Sequence, residues 1–223
     1  MKVFIGYDPR QPVAFQVCAQ SVWEHASTPV EIVRLELSKL APFTRRGLTE
    51  FTFSRFLVPY LSGFEGYSLF LDSDILVRCD VTKIDTHKKC DSLDYISERV
   101  WDIRAVFHSE RKFETPSVML FNNEYCEQLT PEFVGTHPLY KMDWMKRPWP
   151  LGSEYNHLVG YDAPNPQAKI VHFTMGVPIW PETIKSEFAQ EWIDTFKRMN
   201  SSVSFEELMG RSVHVPHLAK VAG

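Results

Sequence analysis

Two aspartates one residue apart interrupt an otherwise apolar part of the chain. Asp72 and Asp74 stand in the segment YSLFLDSDILVRCD (67–80), with apolar residues on both sides. A buried carboxylate without a partner costs on the order of several kcal/mol or takes up a proton, so a cation or the solvent of a cleft must meet this pair. In extended backbone the two carboxylates would point to opposite faces, whereas a tight turn would bring both to one ion. Two anionic oxygens suit Mg²⁺ or Mn²⁺, which in turn suits a diphosphate. The alternative is a pair of turn or capping aspartates in a solvated loop.

The elements that must position this pair alternate between strands and helices. The apolar runs predict strands at 2–7, 30–37, 67–77 (the third strand and its exit), 102–107, 117–123 and 168–173. The helical patterns fall at 12–25, at 48–61 with a bend or end near Pro59, at 124–134 with an interruption at Pro131, and at 183–200. This order predicts an α/β fold of Rossmann-like type, with a mixed, mainly parallel sheet flanked by helices.

Polar side chains follow three of the predicted strands. Tyr7 and Asp8 come at the end of the first strand, and Asp72 and Asp74 come at the end of the third. His172 comes at the end of the last. In sheets of this kind ligands bind at the carboxyl ends of the strands, so we expect these groups to converge on one cleft.

Composition excludes several classes of protein. The chain has 223 residues, a net charge of −4 and 44% hydrophobic residues, which is ordinary for a globular protein and gives no indication of nucleic-acid binding. The cysteines are scattered without a CxxC pair, which argues against a zinc site: Cys18, Cys79, Cys90 and Cys126. The start, MKVFIGYD, lacks the apolar segment of a signal peptide, and no apolar run approaches the ~20 residues that span a bilayer. We therefore expect free thiols, a cytoplasmic location and no transmembrane segment.

A phosphatase is the alternative reading of the aspartate pair. An apolar strand followed by D-x-D is typical of haloacid-dehalogenase phosphatases, in which the first aspartate attacks phosphorus and the second is a general acid/base. That motif normally ends the first strand of its fold. Here a β-α-β-α stretch precedes it, and the downstream acidic pair that completes such a site is not evident.

Several segments together resemble glycosyltransferase family 8, the group of glycogenin and the lipopolysaccharide galactosyltransferases, which has a GT-A fold. The similarity runs over most of residues 1 to 181 and lies in the opening strand and helix VFIGYDPRQPVAFQVCAQSV, the arginine-bearing FTFSRFLVPYL, the D-x-D strand LFLDSDILV, the strand VMLFNN, and KIVHFTMGVPIW. Their order and spacing make the combination more specific than any single motif.

The resemblance implies a metal and a donor. Asp72, Asp74 and His172 would bind a divalent ion, Mn²⁺ with Mg²⁺ as the alternative. The ion would neutralise the diphosphate of a UDP-sugar and stabilise UDP as it leaves.

The resemblance also assigns contacts to the nucleotide. Tyr7 and Asp8 would contact the uracil end, and Gly6 would allow close approach of the backbone. Arg55 would meet the diphosphate or the sugar through its forked donors, and the backbone near Gly176 would approach the phosphate.

Further residues are assigned to the sugar and the chemistry. Ser73, between the aspartates, belongs to the donor site, and Asn122 would reach a sugar hydroxyl. Glu154 would also reach the sugar, and Glu154 and Asn156 stand where the family has its catalytic D-Q-D segment.

The chain departs from the family pattern at two further points. The family's N-A-G is TPS at 115–117, and VPIW at 177–180 lacks the lysine that normally meets the diphosphate. Lys169 or Arg147 would have to compensate for that lysine.

The sequence therefore predicts a single glycosyltransferase domain over 1–223, with a GT-A-like core at 1–181 and a C-terminal helix and tail at 182–223. We expect transfer of a hexosyl group from a UDP-sugar to a hydroxyl acceptor (a glycan, a lipid-linked sugar or a protein), and the resemblance implies retention at the anomeric carbon. Besides the phosphatase, the alternative is a catalytically silent nucleotide-sugar-binding protein, because of the missing lysine. The sequence gives no oligomeric state.

Overall fold

A mixed α/β architecture is seen in the computed structural model, which describes residues 1–84 and 101–199. The strands are β1 (Lys2–Gly6), β2 (Glu31–Leu35), β3 (Tyr67–Leu71), β4 (Ile75–Val77), β5 (Ile103–Ala105), β6 (Val118–Asn122), β7 (Trp149–Pro150), β8 (His157–Leu158) and β9 (Ile170–His172). The α-helices are α1 (Pro12–His25), α2 (Val58–Leu61), α3 (Pro131–Thr136) and α4 (Ala189–Arg198).

The central sheet has six strands in the order β2-β1-β3-β6-β5-β7. The β1–β2, β1–β3 and β5–β7 pairs are parallel, and the two pairs that involve β6 are antiparallel. The register pairs Ile5 with Leu71, so the residues that follow β1 and β3 lie side by side at one edge of the sheet. The prediction of a mixed, mainly parallel sheet flanked by helices is confirmed.

The antiparallel direction of β6 decides which residues reach that edge. Val118 pairs with Leu71 at the carboxyl end of β3, whereas Asn122 pairs with Tyr67 at its amino end. It is therefore the chain before β6, and not the asparagine after it, that adjoins Asp72. A sequence-based reading of 117–123 as one more parallel strand would give the opposite arrangement.

A second, three-stranded sheet has the order β4-β9-β8. β4 follows the aspartate pair directly, and it runs antiparallel to β9 with Ile75 opposite His172. β8 runs parallel to β9, with Leu158 opposite His172. The junction of the two sheets thus brings the aspartate pair and the histidine together.

The helices α1 and α4 cover this junction. Pro12 begins α1, where its missing N–H needs no partner. Val13, Val17 and Trp192 of α4 are fully buried in one cluster with residues of the small sheet. The amphipathic α4 buries one face, whereas residues 12–19 of α1 are buried on all sides.

Three predicted helices differ from the structure. Residues 48–61 form turns, a 3₁₀ segment at Ser54–Leu57 and the single turn of α2. Pro131 begins α3 rather than interrupting a helix, because proline is favourable in a first turn. The helix predicted at 183–200 begins later, at Ala189.

Some predictions fall outside the described residues. They are the C-terminal tail beyond residue 199, the domain boundary at residue 223 and the free thiol of Cys90. Cys18, Cys79 and Cys126 are free thiols. The longest described helix, α1, has 14 residues, and no helix in the described part combines the length and apolar character needed to cross a bilayer.

Candidate functional site

The aspartate pair occupies a tight turn between the two sheets. β3 ends at Leu71, Ser73 and Asp74 form a turn, and β4 begins at Ile75. Asp72, Asp74 and His172 each offer one ligand atom, and these atoms all lie within 4.8 Å of one another. The turn therefore does what extended backbone could not do, because it directs both carboxylates to one place.

Arg55 binds the first aspartate from inside the protein. Its side chain is 5% exposed, and its Nη1 lies 3.0 Å from Oδ1 and 3.3 Å from Oδ2 of Asp72. It also donates to the carbonyl oxygens of Phe51 and Pro116. The sequence-based assignment of Arg55 to the diphosphate or sugar is thus not what the structure presents, since the guanidinium is buried behind Asp72.

His172 is held between two carboxylates. Its Nε2 lies 3.4 Å from Oδ1 of Asp74, and its Nδ1 lies 4.0 Å from Oε2 of Glu114. The imidazole is almost fully buried. The backbone reinforces this arrangement, because Phe173 donates its N–H to the carbonyl oxygen of Asp74.

The protonation of the cluster reflects both burial and the crowding of negative charge. Burial raises the pKa of Asp72 well above its ordinary value, and the charge of Asp74 adds to this, although Arg55 opposes it. Burial alone would lower the pKa of His172, but the charges of Asp74, Asp72 and Glu114 outweigh it and raise that pKa. Without a cation the cluster therefore retains protons that a metal ion would displace.

The cluster fits a divalent metal ion. Oδ1 of Asp72 is a buried atom without an aligned hydrogen bond in the described part of the chain, and Nε2 of His172 faces Asp74. Two carboxylates and an imidazole form a donor set that suits Mn²⁺, whereas Mg²⁺ favours a shell of oxygens. These residues could therefore hold such an ion.

The loop after β1 follows the strand that pairs with β3, and packing and an internal ion pair fix its shape. Oδ1 of Asp8 accepts hydrogen bonds from the backbone and Nε of Arg10, both at 2.9 Å, and Oδ2 accepts one from Nη2 at 2.6 Å. Burial raises the pKa of Asp8, but the bonds from Arg10 outweigh it and hold that pKa below its ordinary value. A Cβ at Gly6 would lie 2.5 Å from the ring of Phe51, so the glycine admits that ring. Tyr7 packs edge-on against Phe15 at 5.6 Å.

Gly176 and Ser73 lie close to the metal-ligand candidates in sequence. Gly176 has a φ of 105°, a conformation that favours glycine. Its N–H donates to the carbonyl oxygen of Phe173 at 2.8 Å, so this amide is already used in a turn. Ser73 is buried between the two aspartates.

The structure separates the residues assigned to the sugar. Nζ of Lys169 lies 3.4 Å from Oε1 of Glu154. Lys169 directly precedes β9, whereas His172 ends that strand, so this ion pair lies at the other end of β9 from the cluster. Asn156 is fully buried and donates to the carbonyl oxygen of Glu114, which places it near the cluster. Asn122 lies at the opposite edge of the sheet, because β6 is antiparallel, so it is not brought to the site.

Three polar residues near the cluster were not identified from the sequence. Glu114 faces His172, Arg111 lies 3.2 Å from Oε1 of Glu114, and His108 follows β5 at the same edge of the sheet. His108 could have been identified from the sequence, because it directly follows the strand predicted at 102–107. Glu114 could be placed near the cluster only once β6 was known to run antiparallel to β3.

One cavity lies away from the cluster. Its volume is about 590 Å³, and Asp102, Tyr125 and Arg147 are among the residues that line it. The carboxylate of Asp102 accepts backbone hydrogen bonds from Ile103, Lys146 and Arg147, which gives it a structural role. Arg147 is therefore not placed to replace the missing lysine, and Lys169 is engaged by Glu154.

The architecture matches that of known glycosyltransferases. LgtC, a galactosyltransferase solved with donor and acceptor sugar analogues, superposes with a TM-score of 0.62 and 12% identity over 92% of this chain and 99% of that one. WbbM, a bifunctional glycosyltransferase solved in its apo form, gives a TM-score of 0.61 and 16% identity. The match covers 89% of this chain and 50% of the WbbM chain. The fold is that of the GT-A glycosyltransferases.

A curated relative defines the family. The sequence is 31% identical over 235 residues to Protein CDI of Arabidopsis thaliana, covering 89% of this chain and 87% of that protein. The chain belongs to the family of Protein CDI. No protein-family model matches the sequence.

Proposed function

We propose that the protein is a cytoplasmic, metal-dependent glycosyltransferase that moves a hexosyl group from a UDP-sugar to a hydroxyl acceptor with retention at the anomeric carbon. The observation that carries this proposal is the group of Asp72, Asp74 and His172, whose ligand atoms lie within 4.8 Å of one another where the two sheets meet. The GT-A fold supports it, and so do the segments that resemble glycosyltransferase family 8.

The proposed ligands are Asp72, Asp74 and His172, with Mn²⁺ preferred over Mg²⁺. A bound divalent ion would supply charge neutralisation for a diphosphate leaving group. Arg55 orients Asp72 and offsets part of its charge, so the cluster does not carry two unpaired carboxylates before the ion binds.

The chain's own residues would position the donor. Tyr7 and Asp8 follow β1 beside Asp72, and we assign them to the uracil end. Gly6, Ser73 and the turn at Gly176 would shape the backbone around the donor, and Asn156, which is buried beside Glu114, would support the sugar side. We do not assign a sugar contact to Asn122. We propose Glu154 as a catalytic group that releases Lys169 when the substrates bind.

Phosphatase chemistry at the same aspartates fits the structure poorly. A nucleophilic carboxylate needs an open approach and a free oxygen, whereas Asp72 is 8% exposed and is paired with Arg55 from inside the protein. The motif follows the third strand and not the first. A silent nucleotide-sugar-binding protein is the second candidate, favoured by the engagement of Lys169 by Glu154 in a chain that lacks the usual lysine.

The test is release of UDP from UDP-glucose and UDP-galactose, with Mn²⁺, with Mg²⁺ and with a chelator. We expect release with Mn²⁺, less with Mg²⁺ and none with the chelator. Turnover of a generic phosphate ester without UDP release would establish the phosphatase instead. Metal-dependent binding of UDP-sugar without any turnover, in water or with glycoside acceptors, would establish the silent binding protein.

A further inference from the structure

A cavity of about 450 Å³ opens beside the proposed metal site, with His108, Arg111, Leu158, Tyr161 and Asp162 among its lining residues. Leu158 is the register partner of His172, which places one wall of the cavity next to the cluster. His108 follows β5, which is parallel to β3 through the shared neighbour β6, so it lies at the same edge of the sheet as Asp72.

A chain of side-chain contacts joins the cavity to the cluster. Glu114 lies 4.0 Å from His172 and 3.2 Å from Arg111. The guanidinium of Arg111 lies 3.5 Å from the ring centroid of Tyr161 and 4.7 Å from that of Phe113. A molecule against Tyr161 would therefore be within a few side chains of the proposed donor site.

The polar groups of the cavity favour an uncharged ligand. Arg111, the cation among the lining residues, is already engaged by Glu114 and by two aromatic rings. Glu110 and Asp162 add negative charge, which repels an anionic ligand.

Hydrogen-bonding groups and an aromatic ring remain for a polyol. Nε2 of His108 is buried and has no hydrogen-bond partner among the described residues. Burial lowers the pKa of His108, so the imidazole is neutral near pH ~7. Its buried Nε2 would exchange a hydrogen bond with a ligand hydroxyl once the ring turns toward the cavity. Tyr161 is 47% exposed and offers apolar ring surface. The volume of the cavity is in the range of small-molecule sites, and its lining is mostly polar, which suits a polyol.

We propose that this cavity binds the acceptor and that the acceptor presents an uncharged sugar residue there, with Tyr161 and His108 as its contacts. This inference rests on the proposed glycosyltransferase function. It selects an uncharged glycan over an anionic lipid headgroup or an acidic peptide.

The test is a direct binding measurement that needs no turnover. Calorimetric titration would measure the binding of methyl lactoside and methyl cellobioside to the wild-type protein in the presence of UDP and Mn²⁺, with a hexose phosphate as the charged comparison. Tyr161→Ala and His108→Ala should each weaken the uncharged glycoside about five- to tenfold, the scale of one lost hydrogen bond or ring contact. The control is Tyr125→Ala, because Tyr125 is similarly exposed (44%) but lines the distant cavity. His108→Gln, which keeps a hydrogen-bonding group, should recover most of the binding.

Each outcome decides the proposal, and UDP binding is measured on the same samples. Weakening in Tyr161→Ala and His108→Ala with unchanged UDP and Mn²⁺ binding, and none in Tyr125→Ala, supports it. Absence of glycoside binding, binding that both variants retain, or tighter binding of the hexose phosphate overturns it. Failure of the wild-type protein to bind UDP with Mn²⁺ would instead remove the proposed function itself.

Discussion

Replacement of Arg55 by methionine should destabilise the protein in a pH-dependent way. Arg55 and Asp72 are both buried, with Nη1 3.0 Å from Oδ1. Removing one partner of a buried ion pair leaves an uncompensated charge and costs about 3–5 kcal/mol. That is a large part of the roughly 5–15 kcal/mol by which a typical domain is stable. We expect this loss in urea unfolding near pH ~7.5 with a chelator present.

The sign of the pH effect follows from Asp72. Burial already raises the pKa of Asp72, and loss of the guanidinium raises it further. As the pH falls through this raised pKa, Asp72 takes up a proton and the penalty of its unpaired charge disappears. The stability deficit of Arg55→Met should therefore shrink near pH ~5, and Arg55→Met/Asp72→Asn should regain much of it near pH ~7.5.

An exposed ion pair provides the matched control. Arg198 is 54% exposed and binds Glu24 at 2.8 Å, so Arg198→Met should cost no more than about 1 kcal/mol. An equal cost for Arg55→Met and Arg198→Met would refute the positioning role of Arg55. Unchanged stability with a higher KM for the donor would show that Arg55 contacts the donor, as the sequence alone suggested.

The remaining predictions concern the cluster and the first loop. Asp74→Asn should abolish UDP release, because it removes one ligand charge, and should leave the thermal unfolding temperature of the metal-free protein equal or higher; parental turnover would exclude Asp74 as a ligand. Metal binding requires neutral His172, and the pKa of His172 is raised above its ordinary value of about 6.5. As the pH is lowered, the Mn²⁺ affinity measured by calorimetry should therefore begin to fall before pH ~6.5 is reached. His172→Ala should flatten this decline and narrow the preference for Mn²⁺ over Mg²⁺, and a parental profile would show that His172 is a core residue. The pKa of Asp8 is lowered, so its contribution to stability is present above pH ~3.9 and is lost as the pH falls further. Asp8→Asn should remove that part of the acid sensitivity of unfolding and raise the KM for UDP-sugar more than it lowers kcat, whereas an unchanged KM would separate Asp8 from the nucleotide.

Sequence reasoning succeeded where local chemistry decides the structure. The apolar strands and the proline at the start of α1 were predicted, and the GT-A fold was expected from the order of the motifs. Asp72 and Asp74 within an apolar run required a cation, and the structure supplies Arg55 and a cluster with His172 that fits a metal. A carboxylate pair in an apolar setting carries this information without knowledge of the fold.

The direction of β6 and the partners of individual side chains could not be predicted from the sequence. The antiparallel course of β6 moves Asn122 away from the site and brings Glu114 to His172, and an apolar run reads the same in either direction. The position of Arg55 in the sequence is compatible with a side chain that faces solvent, the donor or Asp72. The packing of Phe51 and Phe70 around the guanidinium directs it to Asp72. The short helical turns at 48–61 followed tertiary packing rather than helical periodicity.

In the proposed function, Asp72, Asp74 and His172 hold a divalent ion that binds a nucleotide-sugar. Calorimetric titration of UDP-glucose and UDP-galactose into the protein, with Mn²⁺ and then with a chelator, measures this binding. We expect binding of at least one UDP-sugar with Mn²⁺, loss of that binding with the chelator, and the same loss in Asp74→Asn while the protein stays folded. Equal binding with and without Mn²⁺, or unchanged binding by Asp74→Asn, would contradict it.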